Sequence, residues 1–186
     1  MAEHELRGPV AALALAAEAS ARRPGRTAAA AVEAQLERAK LGLADLAAAR
    51  SGRRSPPLVA RVPVRQVAER VAAAGNVEVD WRAGPARVDA DPARISQALG
   101  NLVSNALEHG GGRVELRGVR DADRVRIELS DSGPGFGAAP EPDWHTGRGR
   151  GLAIAARAVE EAGGQLRIAS SEDGATVAVE LPLADA

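Results

Sequence analysis

The chain has 186 residues, of which 45% are apolar, 26% charged and 2% aromatic, and its formal net charge is -1. That balance excludes a disordered chain, and with so few aromatic residues the core must be built from Ala, Val, Leu and Ile. The absence of cysteine excludes disulfides, thiolate zinc sites and a cysteine nucleophile. Residues 1–61 carry ten Lys/Arg against six Asp/Glu, and the remainder fourteen against nineteen. Neither part is basic enough for a nucleic-acid partner, and no aromatics interleave the arginines.

The first fifty residues read as two helices. Leu6, Val10, Leu13 and Ala17 are spaced to share one helical stripe, and Val32, Leu36, Ala39, Leu43 and Leu46 follow a heptad rhythm. Residues 22–27, with Pro24 and Gly25, form the turn between them. Two such helices cannot cover their stripes alone, so a symmetric dimer closing a four-helix bundle is expected. A hairpin docked on the rest of the chain is the alternative.

Residues 51–63, rich in proline and arginine, read as a linker. A short helix carrying Val64, Val67, Ala68 and Val71 follows, ending at Gly75, and residues 77–81 and 86–89 read as strands. Asp91-Pro92 starts a helix, with Asp as N-cap and Pro in the first turn. Its buried stripe is Ile95, Leu99, Leu102, Val103 and Leu107, and it ends at Gly110. Strands are expected at 113–119 and 124–130, a helix near 152–162, and strands at 165–170 and 175–181. The order implies an α+β domain with helices on one face of a mixed sheet. No apolar run approaches the ~18–20 residues of a membrane span, and no signal-peptide core is present. A cytoplasmic protein, with no membrane contact by this chain, is the expectation.

Three segments suggest chemistry. Asn101, Asn105, Glu108 and His109 sit on one helix, although Asn is a poor helix former. Their carbonyl oxygens suit a hard, partly hydrated cation such as Mg²⁺; a solvated polar face is the alternative. Asp131-Ser-Gly133-Pro-Gly135 follows a strand. Its carboxylate can accept from an exocyclic amine such as that of adenine, while the glycines let the backbone turn against a flat ligand. Gly147-Arg-Gly149-Arg-Gly151-Leu152 opens a helix whose N–H groups would hold phosphates.

In this order the three segments resemble the ATP-binding domain of the histidine kinase, gyrase and chaperone ATPase superfamily. The stretch from Asp91 through Asn101, Asn105 and His109 looks most like the sensor histidine kinases. His4-Glu5-Leu6-Arg7-Gly8-Pro9-Val10 resembles their phosphoacceptor box, His-Glu-Leu-Arg-Thr-Pro-Leu. The resemblance implies a helical hairpin in a dimeric four-helix bundle, followed by an α+β sandwich ATP-binding domain of Bergerat type. Residues 1–52 would be the dimerisation and phosphotransfer hairpin, 53–63 the linker and 64–186 the catalytic domain.

It further implies that His4 is the nucleophile, with Glu5 orienting or taking its proton. Asn105 would ligate Mg²⁺, supported by Asn101 and Glu108, with His109 near the phosphates. Asp131 would recognise adenine in a pocket shaped by Gly133 and Gly135. Gly147, Gly149, Gly151 and Leu152 would line the phosphate side. The implied partners are ATP, the receiver domain of a response regulator and a second copy of the chain. The chain departs from the pattern in lacking the phenylalanine box, in Arg150 where Leu is usual, and in Gly8 where Thr or Asn is usual. A dimeric scaffold or phosphotransfer hub, and an anti-sigma-factor-type serine kinase, are the alternative functions.

Overall fold

The computed structural model describes residues 56–110, 112–133, 135, 150–171 and 174–185. The expected N-terminal hairpin and its bundle lie outside them. The fold described is that of the unit Pro57–Ala186. β1 (Ala60–Pro63) leads into α1 (Val64–Gly75), β2 (Glu78–Trp81), β3 (Arg87–Ala90), α2 (Pro92–Asn105) and a π-helical turn (Ala106–Gly110). β4 (Val114–Asp121), β5 (Arg124–Asp131), α3 (Arg150–Glu161), β6 (Gln165–Ser171) and β7 (Gly174–Pro182) follow.

Five strands form one sheet in the order β2-β4-β5-β7-β6, in which only β2 and β4 are parallel. This is the mixed sheet that the sequence pattern implied. β1 and β3 make a separate antiparallel pair. The linker reading of 53–63 is therefore corrected at its end. Val62 pairs with Val88 and is buried, and Pro63 closes the strand at a position where a proline is tolerated.

α1 buries Val64, Val67, Ala68, Val71 and Ala72, the three- and four-residue spacing of one helical stripe. It ends on Asn76 in the left-handed conformation, with the amides of Asn76 and Val77 bonding back to Ala73 and Ala72. Asp91 caps α2 as its sequence implies. Its Oδ1 accepts from the backbone N–H groups of Ala93 and Arg94 at 2.9 and 3.3 Å. Ile95, Leu99, Leu102 and Val103 are buried, but the expected fifth member of the stripe, Leu107, is 48% exposed. Ala106 takes the buried place, and Leu107 lies on the flank beside Gly75, where a Cβ would come within 3.0 Å of its Cδ1.

Val125, Ile127 and Leu129 of β5 stand in register with Leu181, Val179 and Val177 of β7, and all six are buried in the core they share with the helices. Alternate residues face outward and pair in ions: Arg126 Nη2 donates to Glu180 Oε1 at 2.7 Å, and Arg167 Nε lies 3.5 Å from that oxygen. α2 and α3 run antiparallel and are tied at both ends. Arg94, in the first turn of α2, donates to Glu161, the last residue of α3. At the other end Asn101 Nδ2 donates to the Gly151 carbonyl, 3.4 Å away. No helix among the described residues is long and apolar enough to cross a membrane.

Candidate functional site

Asn101 and Asn105 are one turn apart and so share a face of α2; both are half-buried. The first turn of α3 lies over that face. A Cβ at Gly151 would stand 3.4 Å from Asn105 Oδ1 and 3.6 Å from Asn101 Cβ. Asn101 is occupied by the Gly151 carbonyl, whereas the Asn105 carboxamide makes no hydrogen bond among the described residues. A free carbonyl oxygen therefore sits beside a helix N-terminus, whose unpaired N–H groups favour anions. That donor set fits a magnesium ion, which takes one or two protein oxygens together with phosphate oxygens and water.

Asp131 closes β5 and is half-buried. Its Oδ1 accepts from the Gly133 N–H at 3.0 Å, an Asx-type turn that fixes the plane of the carboxylate. Its second oxygen has no hydrogen-bond partner among the described residues. The sequence assigns Gly133 to a turn against a ligand; its place in the fold gives a different reason. Its φ is not left-handed, but a Cβ there would fall 1.2 Å from the carbonyl oxygen of Gly110. Gly135 does need its conformation, at φ +63, and also lies against the Ser171 carbonyl.

Glu108 is exposed, and Ser104 Oγ donates to its Oε1 at 2.7 Å, which draws the carboxylate back along the helix. Leu152 is only 3% exposed; its side chain anchors the start of α3 in the core, so a ligand could meet it only through the backbone. The backbone of His109 belongs to the π turn. The side chain of His109, and Gly147, Gly149, His4 and Glu5, lie outside the described residues.

Two features escaped the sequence reading. Gly110 was taken as the end of a helix, yet it is the point at which α2's extension meets Asp131 and Gly133. The pair Arg94–Glu161 carries no signal in a linear sequence, since its members are 67 positions apart. α2 with its π turn thus touches both described glycine segments: Asn101 and Asn105 meet the start of α3, and Gly110 meets Asp131 and Gly133.

Residues 90–185 match the family described as Histidine kinase-, DNA gyrase B-, and HSP90-like ATPase. The chain is 32% identical over 124 residues to the sensor protein kinase CarS of Pseudomonas aeruginosa, across 58% of this chain and 27% of that protein. It is 35% identical over 107 residues to the sensor histidine kinase ZraS of Escherichia coli, across 52% and 23% respectively. The catalytic domain of the histidine kinase ThkA is 26% identical, with a TM-score of 0.57 over 67% of this chain and 96% of that one. The chain spans about a quarter of the length of these curated relatives. The likeness to sensor histidine kinases read from the motifs is borne out, as is the α+β ATP-binding fold.

Proposed function

The chain belongs to the histidine kinase-, DNA gyrase B- and HSP90-like ATPase family, and from that membership we propose a protein-histidine kinase core. It binds Mg-ATP, phosphorylates its own His4 and passes the phosphoryl group to an aspartate on the receiver domain of a response regulator. The supporting observation is the double contact of α2, which sets a free Asn carbonyl by one glycine segment and a free carboxylate oxygen by the other.

Each residue then has a role. The free oxygen of Asp131 accepts from the amine of adenine. The N–H groups at the start of α3, at Gly151 and Leu152, act with Gly147 and Gly149 on the phosphates, and His109 lies near them. Asn105 supplies the protein ligand to Mg²⁺, and the ion neutralises phosphate charge. Asn101 holds the first turn of α3 in place. Glu108, now bonded to Ser104, would add negative charge in support of Asn105 at the ion. His4 attacks the γ-phosphorus, forming an N–P bond as the bond to the bridging oxygen breaks and ADP leaves; Glu5 orients or takes the imidazole proton. The N-terminal helices join two copies, in the cytoplasm.

Incubating the full chain with γ-labelled ATP and Mg²⁺ tests this reading. Label that is lost in acid but kept in base, and that is absent from His4→Gln while nucleotide affinity holds, is the expected result. Acid-stable, base-labile label would indicate a serine kinase. Nucleotide binding without label would indicate a scaffold.

A further inference from the structure

Gly110 closes the π turn and is buried. Its φ is not left-handed, so its backbone is open to any residue. What excludes a side chain is Asp131: a Cβ at 110 would stand 2.5 Å from its Cγ, 2.6 Å from its Cβ and 2.8 Å from its Oδ1. Both partners in this contact are constrained. The backbone of Asp131 is held between two strands, in register with Val114 of β4 and Ala175 of β7. Behind it, Gly174 packs so closely that a Cβ there would come within 2.0 Å of the Asp131 carbonyl oxygen. The Gly110 carbonyl is itself lodged against Gly133. Neither backbone can retreat easily, and side-chain rotation leaves the 2.6 Å approach to Asp131 Cβ in place, so a methyl group at 110 must shift Asp131 as a whole, its carboxylate included. That shift takes Oδ1 from its 3.0 Å bond with the Gly133 N–H and turns the free oxygen away from its present direction.

We propose that Gly110 is a positioning residue for base selection: its missing side chain leaves the space in which Asp131 aims its free oxygen, and so sets adenine over guanine. This rests on the reading of Asp131 as the acceptor for the adenine amine. Guanine presents a carbonyl at the corresponding position, which a carboxylate repels, so the aim of one oxygen decides between the two bases. The phosphates meet other residues and are indifferent to it.

The test is titration of the full chain in Mg²⁺ with ATP, GTP and inorganic tripolyphosphate, using the wild type, Gly110→Ala, Asp131→Gly and the double variant. The wild type should prefer ATP. Gly110→Ala should lose about tenfold or more in ATP affinity, the loss expected for one charge-assisted hydrogen bond, with GTP and tripolyphosphate held within about twofold. The double variant should bind ATP no more weakly than Asp131→Gly, because the whole side chain that meets residue 110 has already been removed. ATP affinity unchanged in Gly110→Ala would overturn this inference alone, and so would a parallel loss for all three ligands. A wild type that binds no ATP would instead overturn the reading it rests on. Should Gly110→Ala fail to fold, recovery of the fold in the double variant supports the contact, and failure there overturns it.

Discussion

Arg94 and Glu161 join the beginning of α2 to the end of α3 through Nη1 and Oε2, and Arg157 Nε donates to the other oxygen of the same carboxylate at 3.2 Å. Burial works to raise the Glu161 carboxyl, but the hydrogen bonds from the two arginines outweigh it and hold it below its ordinary value. Together with the bond from Asn101 to Gly151, this keeps the first turn of α3 over Asn105.

The pair should show in acid. The folded carboxyl of Glu161 titrates below its unfolded counterpart, so its contribution is complete above the ordinary glutamate value of about 4.3. It is lost as pH falls through the lower, folded value. Glu161→Gln has no such carboxyl, and its melting temperature should fall less than the wild type's between about pH 6 and about pH 3. Equal falls would show that the pair contributes nothing measurable.

Asn105→Ala should remove the magnesium dependence of nucleotide binding while leaving the fold intact. The carboxamide is half-buried and makes no hydrogen bond among the described residues, so the change in stability should stay within about 0.5 kcal/mol. Calorimetric titration with ATP, with magnesium and with chelator, checks it. The wild type should bind more tightly in magnesium, and the variant equally in both.

Two glycines in the site should respond in opposite ways. An alanine Cβ at 133 would overlap the Gly110 carbonyl, whereas one at 151 would meet Asn105 Oδ1 at 3.4 Å, an ordinary contact. Gly133→Ala should cost about 1–3 kcal/mol or more, the range for overpacking between constrained groups. Gly151→Ala should leave stability unchanged or slightly raised, since alanine is the better helix former. Urea denaturation of both variants provides the comparison.

Much of this was legible in the sequence because it is local. Asp91-Pro92 carries its own cap, the 3-4 spacing of Val64 to Val71 specifies a buried stripe, and alternation marks β4 and β5. The linker reading failed at Ala60–Pro63 because a four-residue strand with a proline at its end is defined by its partner, β3, which lies about 25 residues on in the sequence. Leu107 was misread because Ala106 beside it fills the stripe, and periodicity alone cannot tell which neighbour the fold will bury. The types of residue in the site were legible, but their mutual contacts were not. The reason for Gly133 is the carbonyl of Gly110, a close approach that only the packing of α2's end against β5 creates.

Leu102 of α2 and Leu107 of the π turn should differ in cost. Leu102, at 3% exposure, should lose about 2–5 kcal/mol on truncation to Ala. Leu107, at 48% exposure, should lose no more than about 1 kcal/mol. Chemical denaturation of the two single variants measures both, and similar losses would return Leu107 to the core.

Among the described strands β6 lies at one margin of the large sheet, bonded to β7 alone. Its outer amides and carbonyls form a seven-residue template on which a second chain could lay a strand, the geometry from which ordered aggregates grow. Arg167 stands near its middle, its side chain 65% exposed and tied to Glu180. Two such margins meeting in antiparallel register would bring one guanidinium close to its twin. The opposite margin, β2, has only four residues, too few to make a long template. With the guanidinium this exposed, its 3.5 Å approach to Glu180 adds little to folding stability. The larger effect of Arg167 is colloidal: among the described strands nothing pairs with the outer side of β6, and a charge there opposes the joining of two sheets edge to edge.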